Sequence, residues 1–191
     1  MEEIDIDLSF LNPLYDKIKQ KDTSKLPIIE RNLNRGKFGV SERYLEIARV
    51  ENDGPPNMMK GCEFLDKPID GWQDIIDDVN NLLPFGKPAI FAYYPKNGYI
   101  GWHDNSDAPG YTILFNHSED GNGFYRFVNE YNQIITIQDK VGWSCKTGYY
   151  GTRPNSTFHC AYTENPRWSI AYIFKKKSEY RLTFNQLYGI M

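Results

Sequence analysis

The sequence predicts a mostly β chain with some helix: a double-stranded β-helix, or jelly roll, under at least one covering helix. Three observations predict it. From residue 88 onward, short runs rich in β-branched and aromatic residues recur at close spacing between plain turn signals. Just before them, one segment carries an apolar stripe of helical period. The aromatic fraction is 15%, mostly 14 Tyr and 11 Phe, residue types that suit pleated, half-buried strands.

In chain order, residues 1–70 read as an irregular N-terminal extension. It packs on a core formed by residues 71–191, all within a single domain. Leu8-Ser9-Phe10-Leu11-Asn12-Pro13-Leu14-Tyr15 is apolar enough to pack on something, and Asn52-Asp53-Gly54-Pro55-Pro56-Asn57 is the plainest loop. The covering helix falls near residues 71–83, where Trp72, Ile75, Ile76, Val79, Leu82 and Leu83 share one face. Asp70 stands where it would cap the start, and Pro84 follows the end. Strands are predicted at 88–94, 98–103, 110–116, 123–128, 132–138, 145–151, 156–162, 167–174 and 180–187. Lys96-Asn97-Gly98, Asp107-Ala108-Pro109-Gly110, Asp120-Gly121-Asn122-Gly123 and Arg153-Pro154-Asn155 supply turns between them. Such a barrel has an open mouth and an interior that holds a small ligand.

Composition narrows the function classes. The net charge is −3, so no global basic field recruits nucleic acid, and Lys175-Lys176-Lys177 reads as a solvated strand end. Cys62, Cys145 and Cys160 make an odd count without CxxC spacing, against a disulfide framework or a structural zinc site. Met1-Glu2-Glu3-Ile4-Asp5 lacks the basic start of a signal peptide, and no apolar stretch has membrane-spanning length. The expectation is a soluble, cytoplasmic protein with no membrane partner.

The chain has three histidines, and two carry the chemistry. His103 closes the run Tyr99-Ile100-Gly101-Trp102-His103, His159 sits in Thr157-Phe158-His159-Cys160, and Arg167 follows eight residues later. Two imidazoles and a carboxylate on one octahedral face commonly hold mononuclear ferrous iron, with the remaining positions open. On a strand, i and i+2 share a side, so a ligand beside His103 is expected two residues on. That residue is Asn105, which offers a neutral amide oxygen. Asp104 has the right chemistry but points to the opposite face of a regular strand. Asp107 is the substitute carboxylate if the chain bends back, and water is the remaining choice. Arg167 presents a planar fork suited to a carboxylate. Of Tyr93 and Tyr94, one points inward, able to donate to the same group. His117 reads as a solvated loop residue, Trp102, Trp143 and Trp168 as core, and Cys160 as an apolar filler with no basic partner.

Over roughly residues 70–175 the chain resembles the Fe(II)/2-oxoglutarate-dependent dioxygenase superfamily, in particular its small phage and bacterial members. The resemblance rests on Tyr93-Tyr94 with Gly98, Ile100-Gly101-Trp102-His103, His159, and Pro166-Arg167-Trp168-Ser169. It implies that His103 and His159 bind iron, that Arg167 binds the 2-oxoglutarate co-substrate with help from Tyr93 or Tyr94, and that O2 is the oxidant. Asn105 stands where the family usually has Asp. The primary substrate implied is open: a protein side chain, a nucleobase or a small molecule, with Arg31, Arg35 and Lys37 of the lead-in as candidate contacts. The competing reading is a jelly-roll binding or structural module that has lost catalysis, for which Asn105 is the best support.

Overall fold

The computed structural model describes residues 1–31, 33–51, 58–65 and 69–189, and for 33–36 the backbone only. The predicted loop 52–57 and the Arg35 side chain therefore lie outside the described residues. The elements are β1 (Glu2–Ile4), α1 (Asn12–Ile18), β2 (Ile29–Arg31), α2 (Glu42–Glu51), β3 (Met59–Glu63), α3 (Gln73–Asn81), β4 (Lys87–Tyr94), β5 (Tyr99–His103), β6 (Gly110–Ser118), β7 (Gly123–Val128), β8 (Ile134–Gln138), β9 (Gly142–Tyr150), β10 (His159–Thr163), β11 (Arg167–Phe174) and α4 (Lys177–Leu187).

The strands form two antiparallel layers. One runs β9-β6-β11-β4, extended by β1 beside β9; the other runs β5-β10-β7-β8. Chain order alternates between the layers from β4 onward, except that β7 and β8 form a hairpin within one of them. This is the jelly-roll topology. β3 bridges the layers at one side, pairing with β4 and with β5.

The period-2 pleat sorts side chains into three clusters. On β11, Trp168, Ile170, Tyr172 and Phe174 point outward into the largest cluster, where they meet Ile75, Ile76 and Val79 of α3 and Leu14 and Ile18 of α1. The Tyr172 hydroxyl donates to the Val79 carbonyl, tying the covering helix to the sheet. On the opposite outer face, Tyr44, Leu45 and Ala48 of α2 pack with Tyr99, Trp102, Cys160 and Tyr162. Between the layers lie Ala92, Tyr94, Ile100, Leu114, Tyr125, Phe127, Ala161 and Ala171. Trp102 and Trp168 both point away from the barrel interior, as the alternation predicts.

Several expectations need correction. Residues 180–187 are helical, in α4, not a strand. Tyr180, Leu182 and Phe184 satisfy a strand alternation, but Tyr180, Thr183, Phe184 and Leu187 satisfy a helical stripe equally well. The helix wins because Tyr180 packs on Phe174 and bonds Thr147, and Thr183 donates to the Pro84 carbonyl; Leu182 is left outside. The covering helix starts at Gln73 with Trp72 at its cap position and no side-chain cap bond, so Asp70 does not cap it. The lead-in is far from irregular: it supplies three strands, two helices and the bridging strand's Cys62 to the core.

Candidate active site

A cavity of about 230 Å³ occupies the barrel interior. His103 and His159 line it together with Asn105, Asp107, Tyr94, Tyr125, Tyr150, Asn116, Ser169 and Arg167. The two histidines face each other because β5 ends where β10 begins: they are Cα partners across that antiparallel pair. Their ring centroids are 4.2 Å apart. Tyr150 stacks on His159 at 4.6 Å, and its hydroxyl bonds that of Tyr125 at 2.8 Å.

Both imidazoles are set in the same tautomer. His103 Nδ1 lies 2.8 Å from the Gly101 carbonyl, and His159 Nδ1 lies 3.0 Å from the Thr157 carbonyl. A carbonyl oxygen only accepts, so each Nδ1 carries the proton and each Nε2 keeps its lone pair. Burial disfavours the imidazolium at both sites, and for His159 the neighbouring His103 adds to it, so both pKa values fall below the usual histidine range. Two buried, neutral imidazoles, each oriented by an Nδ1–H bond to a backbone carbonyl, present Nε2 lone pairs of the kind a divalent metal takes.

Asp104 takes no part in the cavity. It is fully buried on the other side of the chain, where Oδ2 accepts from Arg153 Nε at 2.9 Å and from Ser156 Oγ at 2.7 Å, and Oδ1 accepts from Ser106 Oγ at 2.9 Å. Burial pushes its carboxyl up, but these bonds together outweigh that and hold it below the usual range. Asp104 thus clasps the loop after β5 to the loop before β10, and each loop abuts one of the histidines.

Arg167 brings a cation to the cavity wall, which Glu63 of β3 also lines. Arg167, the first residue of β11, is buried, and its Nε lies 3.1 Å from Asp139 Oδ2, a close ion pair too far out of line for a hydrogen bond. Lys146 Nζ lies 3.4 Å from Asp139 Oδ1 and 3.2 Å from Ser144 Oγ. Ser169 Oγ donates to Asn116 Oδ1 at 2.8 Å, while Asn116 Nδ2 and Thr112 Oγ1 are buried against the cavity without partners. Gly123 makes room for the carboxylate: a Cβ there would meet Asp139 Oδ2 at 2.5 Å.

Of the two candidate tyrosines, Tyr94 lines the cavity, while Tyr93 points out and packs on Trp168 at 4.7 Å. His117 is corrected: it lies on β6, not in a solvated loop, and is buried with its ring stacked on Tyr15 at 3.6 Å. Burial lowers its pKa to about 4. Cys160 is buried in the outer cluster, and burial pushes its thiol far up, leaving no thiolate. Lys37 pairs with Glu164 at 3.4 Å, at the far end of β10 from His159, and Arg31 is exposed on β2. Sequence reasoning missed Asp139, Lys146, Asn116, Ser169, Tyr125 and Tyr150. One signal was present: Lys146 shares strand phase with Ser144 and Tyr150, opposite to the apolar phase of Trp143 and Cys145.

No family model and no curated protein matches the chain. Among solved structures, it is similar to a prolyl-4-hydroxylase of Pseudomonas putida, with 10% identity and a TM-score of 0.49 over 92% of this chain and 91% of that one. It is also similar to a prolyl hydroxylase of Trichoplax adhaerens in complex with a hypoxia inducible factor peptide fragment, with 15% identity and a TM-score of 0.38 over 92% and 94% of the two chains. No helix among the described residues is long and apolar enough to cross a membrane.

Proposed function

We propose that the chain is an Fe(II)- and 2-oxoglutarate-dependent oxygenase that hydroxylates a substrate at the mouth of the barrel. One observation carries this reading. Paired neutral histidines and a buried arginine line a single small cavity, a metal-donor pair at one place and a carboxylate-binding fork at another.

The donor set fits a ferrous ion in two of its protein positions, His103 Nε2 and His159 Nε2. Among the described residues, no three His, Cys, Asp or Glu side chains cluster closely enough to hold a metal. The third position then falls to the Asn105 amide oxygen, to Asp107 after a loop movement, or to water. When bound, iron with 2-oxoglutarate and O2 would supply the oxidant that functionalises an unactivated C–H bond. The protein's own residues bind, orient and shield. Arg167 takes the distal carboxylate, with Asn116 Nδ2 and the Tyr94 hydroxyl as further donors on the cavity wall. Tyr125 and Tyr150 brace His159, and the apolar wall of Ile100, Leu114, Ala161 and Ala171 keeps water out.

A second reading is favoured by the same neutral Asn105: a jelly-roll binding module without catalysis. Anaerobic addition of Fe(II) and 2-oxoglutarate separates the two. The oxygenase reading expects a visible metal-to-ligand charge-transfer band that disappears in His159→Ala and weakens in Arg167→Ala. A folded protein that shows no band with millimolar ligand belongs to the second reading.

A further inference from the structure

Beside Arg167 the barrel holds two charges that the reading above does not use. Lys146 comes from β9, Asp139 from the residue just after β8, and Arg167 from β11. In both contacts, Lys146 to Asp139 at 3.4 Å and Arg167 to Asp139 at 3.1 Å, the side chains are 0–1% exposed. Within this buried trio one carboxylate stands between two cations, a net single positive charge. Two carboxylates of neighbouring elements bear on it: Glu63 of β3, which lines the same cavity, and Glu3 of β1. Glu3 stands across from Lys146 in register, with Oε2 paired to Lys140 at 3.2 Å and Oε1 buried without a hydrogen bond, and its charge favours the protonated lysine. Facing β9, β6 contributes only uncharged Thr112, Leu114 and Asn116 to the interior.

An unmatched buried charge is removed either by losing a proton or by gaining an anion. Arginine does not deprotonate, whereas a buried lysine does so readily. We infer that Lys146 is the positioning residue of this anion site: by sharing Asp139 it frees Arg167 for one ligand carboxylate, and by deprotonating it withdraws that offer. The inference rests on the cavity being the co-substrate site proposed above, and it adds the ligand's charge and a pH control to that site. With Lys146 charged, Asp139 is divided between two cations and a monoanionic carboxylate offsets the trio's remaining positive charge. With Lys146 neutral, Asp139 already neutralises Arg167, and an incoming carboxylate must compete with it. Burial first, and Arg167 second, bring the Lys146 pKa down to about 8, with Asp139 and Glu3 pulling the other way. The control therefore operates in the neutral to mildly alkaline range. A bound carboxylate raises that pKa again, so binding takes up a proton.

The test is calorimetric titration of the metal-free full chain with glutarate, which has the distal carboxylate but no keto group with which to chelate a metal. Wild-type affinity should fall about tenfold from pH 7 to pH 9, as the protonated fraction of a group titrating near 8 does. At pH 8.5 the binding heat should depend on the buffer's ionisation enthalpy with the sign of proton uptake. Lys146→Arg should keep the pH 7 affinity and lose the pH dependence, while Lys146→Met should bind weakly at both values. Three results overturn the inference: no glutarate binding at pH 7, a pH-independent wild type without proton uptake, or a wild-type profile in Lys146→Met. The wild-type measurements need no variant to fold. Failure of the oxygenase reading is separately visible, as a missing charge-transfer band with Fe(II) and 2-oxoglutarate while glutarate still binds with this profile.

Discussion

Asp139→Asn is the sharpest single perturbation of the barrel interior. The substitution preserves shape and removes the one negative charge that lies between Lys146 and Arg167, where both ion-pair contacts are essentially unexposed. Removing one partner of a buried ion pair costs about 3–5 kcal/mol, because the remaining charge has lost both water and its counterion. For a chain of this size each kcal/mol lowers the melting temperature by about 2–4 °C, so the expected loss is about 6–20 °C near neutral pH. A surface-like pair would give at most about 1 kcal/mol instead. The variant should also carry a pH signature. In the wild type, Lys146 titrates near 8 when folded and near 10.5 when unfolded. Between those values the unfolded chain holds more protons, so this lysine's contribution to stability rises with pH there and is constant below. Without Asp139 the lysine should deprotonate at lower pH still, so the deficit relative to wild type should narrow as pH rises from 6 to 9. Thermal melts followed by circular dichroism at several pH values measure this. The double variant Asp139→Asn/Lys146→Met should regain most of the lost stability, because it deletes one of the two unpaired cations. A single variant that melts within about 4 °C of wild type at pH 7, with no recovery in the double, would refute the reasoning.

Three further outcomes are expected. His117, stacked on Tyr15 and held near 4 by burial, stays neutral while its unfolded counterpart protonates near 6.5, so wild-type stability should fall across that window as the solution is acidified. His117→Phe should remove about 3 kcal/mol of that fall, seen as a shallower dependence of urea midpoints on pH, and an unchanged slope would contradict the assignment. Asn105→Asp should tighten Co(II) binding at least tenfold in isothermal titration, since it puts a carboxylate beside two neutral imidazoles; unchanged or weaker binding would remove position 105 from the metal's face. Tyr94→Phe should weaken 2-oxoglutarate binding by about 3–10-fold, the worth of one hydrogen bond, while Tyr93→Phe should leave it unchanged; equal effects at the two positions would refute the inward placement of Tyr94.

The outer faces of the barrel were legible in the sequence because they obey simple periods. Trp72, Ile75, Ile76 and Val79 mark a helix, and Trp168, Ile170, Tyr172 and Phe174 mark one side of a strand; burial of apolar surface enforces both patterns. The C-terminal segment escaped because Tyr180-Arg181-Leu182-Thr183-Phe184 meets both periods at once, and only the neighbours Phe174, Thr147 and Pro84 decide between them. The two histidines stood out by residue type, but their geometry did not: the facing of His103 and His159 depends on β5 ending and β10 beginning at the same end of the barrel.

The charged trio beside the cavity was illegible for a more basic reason. Lys146 lies in a strand among Ser144, Cys145 and Thr147, and Asp139 sits between Gln138 and Lys140 just after β8. In sequence, both look like solvated surface charges, the commonest fate of such residues. What buries them is each other and Arg167, three side chains separated by up to 28 positions and brought together only when β8, β9 and β11 assemble. Charge compensation has no period, so no window along the chain reveals it. It does leave a trace in composition at the structural level, where the interior side of one sheet carries Thr112, Asn116, Ser144, Lys146, Arg167 and Ser169 in place of aliphatic residues. A barrel built only for stability would fill that space with apolar side chains, since replacing a buried ionic cluster by well-packed hydrophobes is commonly neutral or stabilising. Retaining two cations, one anion and two unpartnered polar groups beside a cavity of about 230 Å³ is therefore best explained by what the cavity takes in.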